Sequence, residues 1–212
     1  SCCCVFKLVN QYHAKCNVYA SRCGTMLGLF LVPMQWTEQI RQRLAARLPV
    51  ASRPLKGHSM RSARRVGLVY SFEDERSFNE VRRLAEAMAK EHDVEVIRFT
   101  YVDLAKKDIP HWMLQLPQSR FIAKEDVNLL GRPHGEADGF CAEPLDLLIN
   151  LETSLHSTLL HVVRNAQASM KVAIRQPVRN EDYDILFEPV LDESLQDRMR
   201  RMTRFLSNTQ LT

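Results

Sequence analysis

The run VGLVYSFEDERSFNEVRRLAEAMAKEHDVEVIRFTY, Val66 to Tyr101, decides the fold. Its opening residues, Val66 to Tyr70, are apolar with β-branched and aromatic members, as in a strand buried on both faces. The period then changes. Phe78, Val81, Leu84, Ala85 and Met88 fall on one side of a helix, with Glu80, Arg83, Glu86 and Lys90 on the other. After a turn at His92 and Asp93, Val94, Val96 and Ile97 to Tyr101 return to strand character. Strand, helix and strand in that order form a βαβ unit, whose strands lie parallel with a right-handed crossover.

The alternation continues toward the C-terminus. Asp103 to Gln118 is irregular, with Pro110 and Pro117 bracketing Trp112, Met113 and Leu116, and Arg120 to Ala123 reads as a short strand. Gly131 to Gly139 reads as a loop. Leu145 to Leu151 (LDLLINL) is the clearest interior strand, followed by a helix from about Ser154 with Leu155, Leu159, Val162, Val163 and Ala166 facing inward. Lys171 to Ile174 and Asp184 to Phe187 are further strands, and Leu195 to Leu206 a closing helix. Together these predict an α/β fold from residue 64 to 212: a single Rossmann-like three-layer domain with a mostly parallel sheet of five or six strands.

Upstream the character changes. Trp36, Ile40, Leu44 and Leu48 recur every four residues after a possible N-cap at Thr37, which predicts a short basic amphipathic helix, and Pro49, Pro54 and Gly57 then mark a linker. Residues 34–63 are read as this arm, and residues 1–33 as an unstructured or non-native extension ahead of a start at Met34. The overall charge of +4 divides unevenly: residues 36–65 hold eight basic groups against Glu38 alone, whereas the rest of the chain beyond them is acidic. Polyanion contact therefore points to the arm, through Arg41, Arg43, Arg47, Arg64 and Arg65, with RNA or an anionic membrane surface as partner. The plainer alternative is that the apolar stripe packs on the domain or on a second copy in a homo-oligomer. Met26 to Met34 is too short an apolar run to cross a bilayer.

Cys2, Cys3, Cys4, Cys16 and Cys23 crowd the N-terminus, leaving Cys141 alone in the domain. No C-x-x-C pair occurs, so neither a disulfide framework nor a metal site is expected, and the thiols read as those of a reduced, cytoplasmic protein.

Several runs taken in order, SARRVGLVYSFEDE, IPHWML, EDVNLLGRPHGE, PLDLLINL, NAQASMKVAIR and DYDILFEP, resemble a family of conserved bacterial proteins of unknown function. The resemblance implies the same Rossmann-like fold and no particular activity. In that family the strand beginning at Leu145 more often ends in Asp, where this chain has Asn150. PLDLLINLETSLHSTLL and ASMKVAI are similar, more weakly, to the acceptor-side domain of heptosyltransferase-like glycosyltransferases, which work with two such domains.

Open parallel sheets bind ligands outside the carboxyl ends of their strands. Those positions hold Ser71 and Glu73, Tyr101 and Asp103, Asn150, Glu152 and Ser154, and Arg175. No G-x-G-x-x-G follows Tyr70 and no P-loop occurs, so the backbone cradle for a nucleotide phosphate is missing and no cofactor is expected. Asn150, Glu152 and Ser154 could present polar groups and a helix N-terminus to a ligand, although Ser154 could simply cap its helix. DVNLLGRPHGEADG, Asp126 to Gly139, is the richest candidate: Asp126, Asn128, Arg132 and His134 sit among glycines. Arg132 suits a carboxylate or phosphate and His134 a proton relay, whereas Gly-Arg-Pro-His-Gly also makes an ordinary tight turn. Cys141 lacks an evident activating base. The reading that follows is a non-catalytic binding or adaptor module. The alternative is an enzyme, or enzyme remnant, related to sugar-nucleotide-dependent glycosyltransferases.

Overall fold

In a computed structural model, residues 59–154, 156–176 and 180–208 are described. The expected arm helix, with Arg41, Arg43 and Arg47, and the N-terminal cysteines lie outside them. The strands are β1 (Arg65–Ser71), β2 (Glu95–Val102), β3 (Ser119–Ala123), β4 (Leu145–Asn150), β5 (Ala168–Ile174) and β6 (Ile185–Phe187). The helices are α1 (Glu75–His92), α2 (Glu136–Ala142), α3 (Ser157–Asn165) and α4 (Leu195–Asn208). All five strand pairings are parallel, in the order β3-β2-β1-β4-β5-β6. The α/β expectation therefore holds, with the sheet wholly rather than mostly parallel.

Two cores flank the sheet because its strands are apolar on both sides. One joins Val66, Leu68 and Val96 to Phe78, Val81 and Met88 of α1 and Met199, Met202 and Leu206 of α4. The other joins Val69, Ile97 and Phe99 to Phe140 of α2 and Leu159, Val162 and Val163 of α3. Gly67 makes the second core possible: a Cβ there would lie 2.7 Å from Leu145 Cδ1, 2.9 Å from Leu148 Cδ1 and 3.1 Å from Phe140 Cζ. The Asp146 carboxylate accepts from the backbone N–H of Arg64 and Arg65, at 2.7 and 3.0 Å, and so ties the start of β1 to β4.

Three local readings need correction. Helix α2 occupies much of what reads as loop, Gly131 to Gly139: Gly135, at φ 71°, breaks the chain just before it, the Asp138 carboxylate reaches back to Gly135 N–H, and Ala137 and Phe140 turn into the core. Two buried residues in a seven-residue helix leave too little periodicity to detect. Helix α3 begins at Ser157 with His156 as its N-cap, so Ser154 is not its cap. β5 starts at Ala168, three residues early, because Leu145 pairs with Ala168.

Candidate functional site

The strand order reverses direction between β1 and β4, and their carboxyl ends diverge there into a crevice. A cleft of about 630 Å³ opens at this point, bounded by Ser71, the first turn of α1, Glu152 and Thr153 after β4, and Glu193 to Arg198 at the start of α4. In nucleotide-binding relatives of this topology the phosphate rests on the N–H groups of the β1–α1 turn. Here three of those groups, on Ser71, Phe72 and Ser77, are already engaged. Asp74 is the N-cap of α1, and its Oδ1 accepts from Ser77 N at 2.7 Å, which holds the Asp74 carboxyl below its ordinary range. Ser71 donates through both N–H and Oγ to Glu152 Oε1, each at 2.6 Å, and Phe72 N–H donates to Tyr101 O.

The rest of the lining continues this pattern. Arg76 pairs with Glu80, and Arg198 donates to the Leu151 and Glu193 carbonyls. Glu193 accepts two bonds from Arg201, which keep its carboxyl ionised below the usual range. With Glu73, Asp74, Glu80, Glu152 and Glu193 against Arg76 and Arg198, the cleft is negative.

Asn150 and Glu152, both sequence candidates, meet at this crevice. The buried Asn150 donates through Nδ2 to Tyr183 Oη at 2.6 Å and accepts Glu152 N–H at 3.0 Å. Burial pushes the Tyr183 phenol well above its ordinary pKa, so it stays a neutral acceptor and donor. Asn150 is thus a girder that sets Glu152. Ser154 is exposed on the same rim.

The Asp126 to Gly139 candidates stand at the exit of β3, about 14 Å along the edge at three strand spacings. Val127 and Pro133 form an antiparallel bridge, and Asn128 closes the turn by accepting Leu130 and Arg132 N–H at its Oδ1. Asp126 accepts from Ala123 N–H and pairs with Lys106 at 2.6 Å. Partial burial pushes the Asp126 carboxyl up, but Lys106 and that N–H outweigh it and hold it low. Asp126 and Asn128 therefore build the turn, while Arg132 and His134 project from it exposed. The edge does not bring this pair to Glu152. Of the two described arm residues, Arg65 is held by Glu95 at 2.8 Å and Glu143 at 3.5 Å, and Arg64 is exposed. Burial pushes the Cys141 thiol up to about 11, its Sγ resting 3.6 Å from Val162 O, so it is a poor nucleophile.

Asp74, Ser77, Arg198 and Tyr183 escaped the sequence reading. Asp74 ahead of a helical pattern is a legible N-cap signal. Nothing local reveals that Arg198 and Tyr183 return to β4.

Architecture and crevice together define a doubly wound α/β protein of Rossmann type. The profile of DUF6913, a family of unknown function, matches residues 38–206, and the chain belongs to that family. No curated protein matches the chain. Among solved structures, E. coli heptosyltransferase WaaC with ADP is similar at a TM-score of 0.47 and 14% identity, over 69% of this chain and 48% of that one. The chain thus spans about half of that structure's length.

Proposed function

We propose that this protein is a non-catalytic binding module whose ligand site is the crevice between β1 and β4, and whose ligand presents ammonium or hydroxyl groups rather than phosphate. One observation carries the reading: Asp74 and Glu152, the chain's own carboxylates, accept the Ser77 and Ser71 N–H groups that an incoming phosphate would need. A second anion placed beside them would meet like charge and compete with these carboxylates for the Ser71 and Ser77 N–H groups. A cation or polyol meets five carboxylates instead. The basic arm supports an adaptor role in the same reading. In it the basic side chains of Arg41, Arg43, Arg47 and the exposed Arg64 would bind an anionic partner, RNA or a membrane surface.

Thermal-shift measurements with nucleotides, nucleotide sugars, polyamines and small polyols test this, because a ligand that binds only the folded state raises the melting temperature. The expected result is a flat response to ADP and to nucleotide sugars and a rise with one of the cationic or polyol probes, lost in Glu152→Gln. Stabilisation by a nucleotide sugar would instead select an enzyme of the sugar-transfer class and overturn the reading.

A further inference from the structure

Ten buried side-chain nitrogen or oxygen atoms among the described residues lack a hydrogen-bond partner, and five of them belong to one side of the molecule: Tyr70 Oη, Arg82 Nε, Arg98 Nη1, Thr100 Oγ1 and Ser119 Oγ. Register explains their company. Tyr70 pairs with Thr100, and Arg98 with Ser119, so strand alternation turns all four side chains to the face that α1 covers. Arg82 lies on α1 itself. The Thr100 hydroxyl is near the Tyr70 phenol and favours its ionised form slightly, against the larger opposite effect of burial, without completing a hydrogen bond.

Each of the five can donate; the three hydroxyls can also accept, whereas the two guanidinium nitrogens can only donate. Arg98 is 5% exposed and donates to Pro117 O at 3.2 Å, but among the described residues no carboxylate lies within ion-pair distance of it. Burial eases its proton loss without achieving it, since a guanidinium stays charged. Glu86, the carboxylate with the nearest influence, is well exposed and set against Arg82 at 4.0 Å. Arg98 Nη1, a donor on a buried charge, is left without an acceptor, and an anion would complete it, because an uncompensated interior charge costs several kcal/mol.

We propose that a small monovalent anion of chloride size binds between α1 and the β1–β3 half of the sheet, accepting from Arg98 Nη1 and from the hydroxyls of Tyr70, Thr100 and Ser119. The site is separate from the crevice and independent of the function proposed for it. The anion acts as the counter-ion that lets Arg98 stay charged in the core.

The test is melting of the full chain in chloride and in gluconate at equal ionic strength. The expected outcome is a saturable rise of roughly 3 °C in chloride. Arg98→Met loses that difference. Should that variant fail to fold, Thr100→Val and Ser119→Ala each remove one donor and are expected to weaken the chloride response severalfold. A bromide-soaked crystal should show an anomalous peak within hydrogen-bond distance of Arg98 Nη1. Equal melting temperatures in the two salts, the same chloride response in Arg98→Met, or no bromide at Arg98 would each overturn the proposal, the last two leaving water or Glu86 as the partner.

Discussion

Arg98 in β2 and Arg164 in α3 are buried alike, at 5% and 3% exposure, and their surroundings could hardly differ more. Arg164, in α3, meets Asp182 across both carboxylate oxygens at 2.9 and 3.0 Å, and Asp182 is itself buried. Lys171 of β5 donates to the Val163 and Arg164 carbonyls at the end of α3, where a cation also suits the helix dipole. Arg98 donates to one carbonyl, and its Nη1 has no partner. Burial of a charge is therefore not one situation. Around Arg164 the protein supplies the counter-charge from its own chain, and around Arg98 the proposed anion would supply it from solution.

The largest expected effect comes from cutting the complete pair. Asp182→Ala strands Arg164 and should cost about 3–5 kcal/mol, lowering the melting temperature by roughly 10 °C. Replacing both partners, as Arg164→Met with Asp182→Leu, should recover most of that loss in chemical denaturation. A double variant no more stable than Asp182→Ala would show that the pair's geometry, and not its charge balance, holds that region together.

Gly67, in β1, tests the sheet common to both regions. Gly67→Ala forces a methyl group against Leu145, Leu148 and Phe140 and should cost about 1–3 kcal/mol by urea titration. An unchanged midpoint would mean that β1 and α2 separate easily.

The contrast is sharpest in the paired substitution Arg98→Met and Arg164→Met. In chloride-free buffer the first removes an uncompensated charge and should leave stability within about 1 kcal/mol of the parent, whereas the second strands Asp182 and should not. Equal losses would erase the distinction between the two arginines.

The smallest effect concerns His161, 6% exposed, whose pKa is lowered first by burial and then by Arg132 and Arg164. Its folded pKa lies below the ordinary 6.5, so below pH 6.5 the unfolded chain binds more protons and stability falls as pH drops toward the folded pKa. The slope from this residue is at most about 1.4 kcal/mol per pH unit. Denaturation of His161→Leu between pH 7 and 5 should show a shallower decline than the parent, and an identical decline would place the titration elsewhere.

Much of the fold was legible because periodicity is a local property. Val66 to Tyr70 and Leu145 to Leu151 announce interior strands by composition alone, and Phe78 to Met88 announces a helix by spacing. The carboxyl-edge candidates followed from that alternation; Glu152 lines the cleft, and the buried Asn150 accepts its N–H. Helix α2 was lost because glycine punctuation masks two core residues, and Ser154 read as a cap because a cap is judged by type before the helix start is known.

By itself, then, the sequence determined the alternation of strands and helices, the acidic domain behind a basic arm, and the absence of a glycine cradle after β1. Tertiary structure alone decided that β1 and β4 lie side by side at the crevice, that Glu152 takes the Ser71 amide, and that Arg164 finds Asp182 while Arg98 finds no carboxylate. The reason is one of range. Backbone periodicity is written within a few residues, but a hydrogen bond between positions 81 apart in the chain, as between Ser71 and Glu152, exists only once strand order and register have been set.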